Sequence, residues 1–130
     1  AVENMPSSVK LVFIGIDVGK NVLSGKALST CATARSPCRQ AYIDTLGYGQ
    51  DRPSWDPLTL LYAVKGAAGA HCKEAGIGGR NVLSSAGANY WEPGDSSNQT
   101  YLVLEGEDAA TAAGNAIDEL LCAETPRLRH

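Results

Sequence analysis

The run "VKLVFIGI" at residues 9–16 decides how the chain folds. It is continuously apolar and rich in β-branched residues, with "PSS" before it and "DVGK" after it. A half-exposed strand alternates polar and apolar residues, whereas an unbroken run of this length fits a strand buried on both faces. Such a central strand implies layers above and below it.

The downstream sequence supplies those layers. In "GKNVLSGKALST" (residues 19–30), Val22, Leu23, Ala27 and Leu28 fall at helical spacing. A second helix is predicted over "SPCRQAYIDTLG" (residues 36–47), with Ser36 as cap, Pro37 at the first helical position and Gly47 at the end. The stretch "RPSWDPLTLLYAV" (residues 52–64) begins as a loop, passes an acid-proline pair and ends as an apolar helical run. A residue before proline avoids the helical region, and an aspartate there can accept from the free N–H groups of the first turn. Asp56 is therefore expected as N-cap, with Pro57 at the first helical position.

After "KGAAGAHCKEAGIGGR" (residues 65–80), a glycine- and alanine-rich crossover of weak structure, come "NVLSSA", "ANYWEP" and "TYLVLEG". These three read as short strands joined by turns. Finally, "EDAATAAGNAIDELLCAE" (residues 107–124) is an alanine-rich helix that buries Ala113, Ile117, Leu120 and Leu121. With no internal repeat or linker, residues 1–130 read as one α/β domain.

Composition narrows the function classes. The chain has 130 residues, 44% of them hydrophobic, and 11 basic against 14 acidic residues give a net charge of -3. No basic cluster exceeds the terminal "RLRH", so nucleic acid is not an expected partner. No apolar stretch reaches the roughly 20 residues of a spanning helix, so no membrane insertion is expected. The chain opens on Ala1, as after removal of a signal peptide, and secretion is the expectation.

Cys31, Cys38, Cys72 and Cys122 form an even set without a CxxC pair, which argues against structural zinc and for two disulfides. Three pairings are open. Cys31–Cys38 with Cys72–Cys122 is preferred, because "CATARSPC" closes a local loop and leaves the later two to staple the last helix. The chain-entropy model gives about 2.5 and about 4 kcal/mol for these loops. Disulfides imply an oxidising, extracellular setting, which the sequon Asn98-Gln99-Thr100 also fits.

Catalytic motifs are poorly represented. "GIDVGK" follows a strand as a phosphate loop does, but it is one residue short between Gly15 and Gly19, and Asn21 stands where Ser or Thr would hold magnesium. His71 and His130 are the only histidines, and no G-x-S-x-G elbow is present. Asp44, Asp51, Asp56 and Glu92 offer carboxylates for a glycosidase pair, at separations the sequence does not fix.

Two resemblances add expectations. "WDPLTLLYAV" resembles the "HDPLAVAY"-like segment near the carboxyl end of inosine/uridine-preferring nucleoside hydrolases, and "MPSSVKLVFIGIDVGKNVLSG" resembles the strand-to-helix piece preceding it. "SPCRQAYIDTLGYGQDRPSWD" and "GANYWEPGDSSNQTYL" extend the likeness to longer fungal and plant relatives, over most of this chain but only the family's carboxyl-terminal part. The resemblance implies a layered α/β/α fold and, at Asp56, a calcium ligand. It also shows what is missing, since the family's aspartate-rich amino-terminal motif is absent and Trp55 replaces the usual histidine. No catalytic residue, metal or cofactor is therefore expected. In length, cysteine content and general character the chain is also similar to secreted mushroom lectins of the ink-cap type. These have a three-layer αβα-sandwich fold and recognise fucosylated, GalNAc-containing glycans, and a defensive role is left open for this chain.

The resulting expectation is a secreted, non-enzymatic lectin that binds glycans of glycoproteins or glycolipids, with homodimerisation open. Sugar binding needs aromatic faces for apolar C–H patches and nearby amides or carboxylates for hydroxyls. "NYWEPGDSSNQTY" gathers Tyr90, Trp91, Asp95, Asn98 and Tyr101, and is the expected site, on the loop of two antiparallel strands. "YGQDRPSWD" gathers Tyr48, Asp51, Trp55 and Asp56 as the alternative.

Overall fold

The computed structural model describes residues 5–31 and 35–123, and in it the apolar run forms strand β1 (Leu11–Ile14). β1 pairs in parallel with β7 (Gln99–Leu104), which pairs antiparallel with β4 (Cys72–Ala75), giving the order β1-β7-β4. The expected central strand is thus an edge strand among the described residues. The physical reason is that an unbroken apolar run reports coverage of both faces, which is separate from pairing on both edges. Val12 and Ile14 pack on the core cluster, while Phe13 meets Trp91 on the opposite face.

Side chains alternate across a strand, so the pairings Ile14↔Leu102, Glu74↔Leu102 and Cys72↔Leu104 define one face of the sheet. On it lies the core: Leu102 and Cys72 pack with Leu58 and Leu61 of α4 (Trp55–Gly69), Ala113 and Ile117 of α5 (Ala109–Cys122), and Val22. Val18 of α1 (Ile16–Asn21) joins its margin. The other face, with Phe13 and Tyr101, is covered by the hairpin of β5 (Gly78–Leu83) and β6 (Asn89–Ser97). The α/β class holds. Among the described residues, helices cover one face and a hairpin the other, and the second helical layer of an αβα sandwich is not seen.

Local sequence explains most elements and shows where the expectations slip. The single helix expected over residues 19–30 is divided into α1, the short strand β2 (Leu23–Ser24) and α2 (Leu28–Cys31). Gly25 breaks it: its φ of 113° is one that side-chain-bearing residues avoid, and any Cβ there would overlap the Tyr42 ring. α3 (Pro37–Leu46) follows its signals, with Ser36 Oγ accepting from Arg39 N at 3.3 Å and Gly47 ending it. The glycine-rich crossover after α4 contains β4 and the start of β5, so it is more ordered than expected.

Asp56 is not the cap of α4. Ser54 takes that position and Asp56 sits exposed in the first turn. Tertiary docking overrides the bias against a helical residue before proline. Ser54 N donates to Gly19 O and Val22 O, Ser54 Oγ bonds the buried Ser24 Oγ at 2.6 Å, and Trp55 Nε1 donates to Ile16 O at 2.8 Å. These bonds, with the pairing of β2 and β3 (Arg52–Pro53), start the helix two residues early.

The cysteines also pair differently. The bridge is Cys31–Cys122, with Cα atoms 5.6 Å apart, while Cys38 is an exposed thiol and Cys72 a buried one. Cys72 lies on the core face of β4, its thiol donating to Ala70 O at 3.3 Å, and burial raises its pKa. Short sequence spacing measures loop entropy alone. Placement of α2 beside α5 decides the bridge.

Candidate functional site

The residues of "NYWEPGDSSNQTY" do not form a site together. β6 pairs with β5, in the register Asn81↔Trp91 and Val82↔Tyr90, and not with β7. Gly94, Asp95 and Ser97 belong to β6 itself, and Asn98 alone separates β6 from β7. The two strands therefore continue from one sheet into another where a hairpin loop was expected.

Alternation then separates the aromatics. Trp91 turns inward and meets Tyr101 edge to face at 4.9 Å and Phe13 at 6.2 Å. Its indole N–H is buried without a partner and lies over Gly76 and Gly79, where a Cβ would collide with it. Trp91 and Tyr101 thus join the hairpin to the sheet. Tyr90 faces out, 56% exposed, Asp95 is exposed, and Asn98 donates to Ser7 O at 3.4 Å.

The alternative stretch is divided too, but half of it lies in a built cleft. A cavity of about 620 Å³ opens between α2, the turn at residues 47–51 and α5, and includes Tyr48 and Asp51. Tyr48 stands between Gly47 (φ 90°) and Gly49 (φ 70°), whose left-handed backbones hold the turn, and the residue is 63% exposed. Gly49 N donates to Ser29 Oγ at 2.8 Å, fixing the turn to α2. Trp55 and Asp56 are not part of this cleft, Trp55 being docked on Ile16.

Helix α5 supplies groups that the sequence reading left out. Thr111, Asn115 and Asp118 fall at i, i+4 and i+7 on an otherwise alanine-rich helix, so they share one polar stripe facing the cleft. That stripe was the available signal. Asp118 Oδ1 accepts from Gly25 N at 2.7 Å, and Asp51 Oδ1 accepts from Lys26 N at 2.8 Å. Two carboxylates from distant segments therefore grip consecutive peptide groups. Burial raises the Asp118 pKa, the Asp51 charge adds to the rise, and the Gly25 N–H opposes it.

Chemically, the cleft combines an exposed ring face, the amides of Asn21 and Asn115, hydroxyls of Thr30 and Thr111, and two fixed carboxylates. This is a donor and acceptor set suited to a polyhydroxylated ligand with an apolar face. A second cluster, around Glu74, is saturated by the fold itself. Its carboxylate accepts from Lys10 Nζ at 2.6 Å, Tyr62 Oη at 2.8 Å and Thr100 Oγ1 at 3.1 Å, and the Lys10 and Tyr62 bonds hold its pKa below the ordinary value.

The calcium implied at Asp56 fails a test of fit. Calcium takes six to eight oxygen ligands, several of them charged. Among the described residues no group of three or more His, Cys, Asp or Glu side chains is placed to hold a metal ion. Asp56 offers one carboxylate and no chemistry follows from it alone. No described helix is long and apolar enough to cross a membrane. No protein-family model matches the chain, and no curated protein or solved structure matches it significantly.

Proposed function

We propose that the chain is a carbohydrate-binding protein that seats a saccharide in the Tyr48 cleft. The observation that carries this reading is the exposed Tyr48 ring beside a cavity of about 620 Å³ whose walls supply amides, hydroxyls and carboxylates. A pyranose would stack a C–H face on the ring and exchange hydrogen bonds with Asn21, Asn115 and the carboxylate oxygens, with no catalytic residue, metal or cofactor required. The Cys31–Cys122 bridge is compatible with secretion. The lectin resemblance implies fucosylated, GalNAc-containing glycans of glycoproteins or glycolipids as first probes, a defensive role and a homodimer giving bivalence.

A glycan array with the full chain tests this. Binding to a defined glycan class is expected, and Tyr48→Ala should weaken it about tenfold, the value of one aromatic stacking contact, while circular dichroism is unchanged. An empty array, or full affinity in folded Tyr48→Ala protein, overturns the reading.

One observation favours a second reading, a nucleoside-hydrolase-like protein lacking the full catalytic calcium site. Asp56 is released from capping, is exposed, and has no hydrogen-bonding partner among the described residues. It follows Trp55, which is docked on Ile16 just beyond the carboxyl end of β1. Binding of inosine or uridine in the absence of calcium, weakened in Asp56→Asn, with no binding on the glycan array, would establish that reading in place of the first.

A further inference from the structure

We infer that the Tyr48 cleft selects its ligand by charge, admitting neutral saccharides and rejecting anionic ones, with Asp51 and Asp118 as the residues that set the selection. The inference rests on the carbohydrate reading and deepens it to a ligand class. Both carboxylates line the cavity: Asp51 accepts from Lys26 N at 2.8 Å, and Asp118 accepts from Gly25 N at 2.7 Å, with the Ala27 backbone N–H also bearing on it. The Gly25 and Lys26 donors are adjacent along the chain, so the acids are fixed near one another and cannot swing away from an incoming charge.

Each carboxylate has acceptor lone pairs beyond those its backbone donors occupy, and these accept from sugar hydroxyls. A carboxylate or sulfate on the ligand has no proton to offer there and meets only repulsion. Among the described residues lining the cavity Lys26 is the one basic residue, and it is exposed on a flexible stem. Its compact, strongly hydrated ammonium leaves two fixed acids opposed by a single mobile base. The Asp118 pKa is raised chiefly by burial, and the smaller contribution of the Asp51 charge agrees with this local field. A like charge about 6 Å away in a water-facing cleft weakens binding about tenfold.

The test is a titration of the full chain at low ionic strength against matched glycans, each neutral oligosaccharide paired with its sialylated and sulfated forms. The neutral members should bind at least tenfold more tightly, and the ratio should shrink on adding salt. In Asp51→Asn/Asp118→Asn protein the amide oxygens can still accept from Gly25 and Lys26, and the ratio should fall toward one. If the double variant unfolds, Asp51→Asn alone, at an exposed position, should give a partial fall. Equal or tighter binding of the anionic members by the unaltered chain overturns the inference and leaves the carbohydrate reading standing. A ratio that persists in the folded variant removes Asp51 and Asp118 from the role. Failure of every glycan, neutral ones included, overturns the carbohydrate reading itself.

Discussion

Removing the Cys31–Cys122 bridge should cost this protein much of its stability. The bridge spans a sequence separation of 91, so its main effect is on the unfolded chain, which it forbids from separating two segments. The chain-entropy relation gives about 4.6 kcal/mol for a loop of that length at 25 °C. Domains of this size have total stabilities of about 5–15 kcal/mol, so the loss is a large share of the whole. With an unfolding entropy of about 0.27 kcal/mol per kelvin for 130 residues, Tm should fall by about 17 °C.

The comparison is Cys31→Ser/Cys122→Ser against its parent, both carrying Cys38→Ser so that the exposed thiol cannot form an alternative bridge. Urea unfolding followed by circular dichroism gives the difference, and the m-value should rise because the unbridged chain exposes more surface. A loss below about 1.5 kcal/mol, or peptide mapping of the unaltered protein that finds Cys31 joined to Cys38, refutes the reasoning. A Cys31–Cys38 loop would be worth only about 2.5 kcal/mol.

Gly114→Ala should destabilise by about 1–3 kcal/mol, because its new Cβ would drive into the Leu23 carbonyl oxygen, and a gain in Tm from better helix propensity would refute this. Trp91→Ala should cost about 3 kcal/mol without weakening saccharide binding, and Trp91→Phe should cost much less, since the buried indole N–H has no partner to lose. Folded Trp91→Ala protein that loses glycan affinity would return the site to β6. Glu74 has a lowered folded-state pKa, so the stability it contributes is present above its unfolded value near 4.3 and is lost as pH falls through the folded value. The urea midpoints of the unaltered protein and Glu74→Gln should therefore differ at pH 7 and converge below pH 4; a constant gap would refute the linkage.

Legibility in the sequence followed how local each feature is. Helix α3 could be read because Ser36, Pro37 and Gly47 each act within a turn of their own position, and α5 because Ala113 and Ile117 repeat at helical spacing, although Leu120, expected in the core, is 53% exposed. The start of α4 was misplaced by two residues because Ser54 and Trp55 are fixed by Gly19, Ser24 and Ile16, which local pattern does not report. Strand β4, "CKEA", carries no apolar alternation; Glu74 points to the helix-covered face only because Lys10, Tyr62 and Thr100 satisfy it there. For the site, Tyr48 and Asp51 were legible as aromatic and acid in one turn. Asp118 was not, since it reaches the same cleft from 67 residues further along the chain.

The parallel pairing of β1 with β7 has a consequence for synthesis. Leu11 is matched with Gln99, so the partner of the first strand emerges 88 residues after it. At about 5–20 residues per second, the ribosome leaves the "LVFI" run without its ladder for roughly 4 to 18 s. During that interval the segment is an apolar, β-prone stretch in an incomplete chain, the kind of element that aggregates or recruits a chaperone. Pairing of β1 thus follows synthesis of β7, and α1 to α4 can begin to form while β1 still waits for that strand.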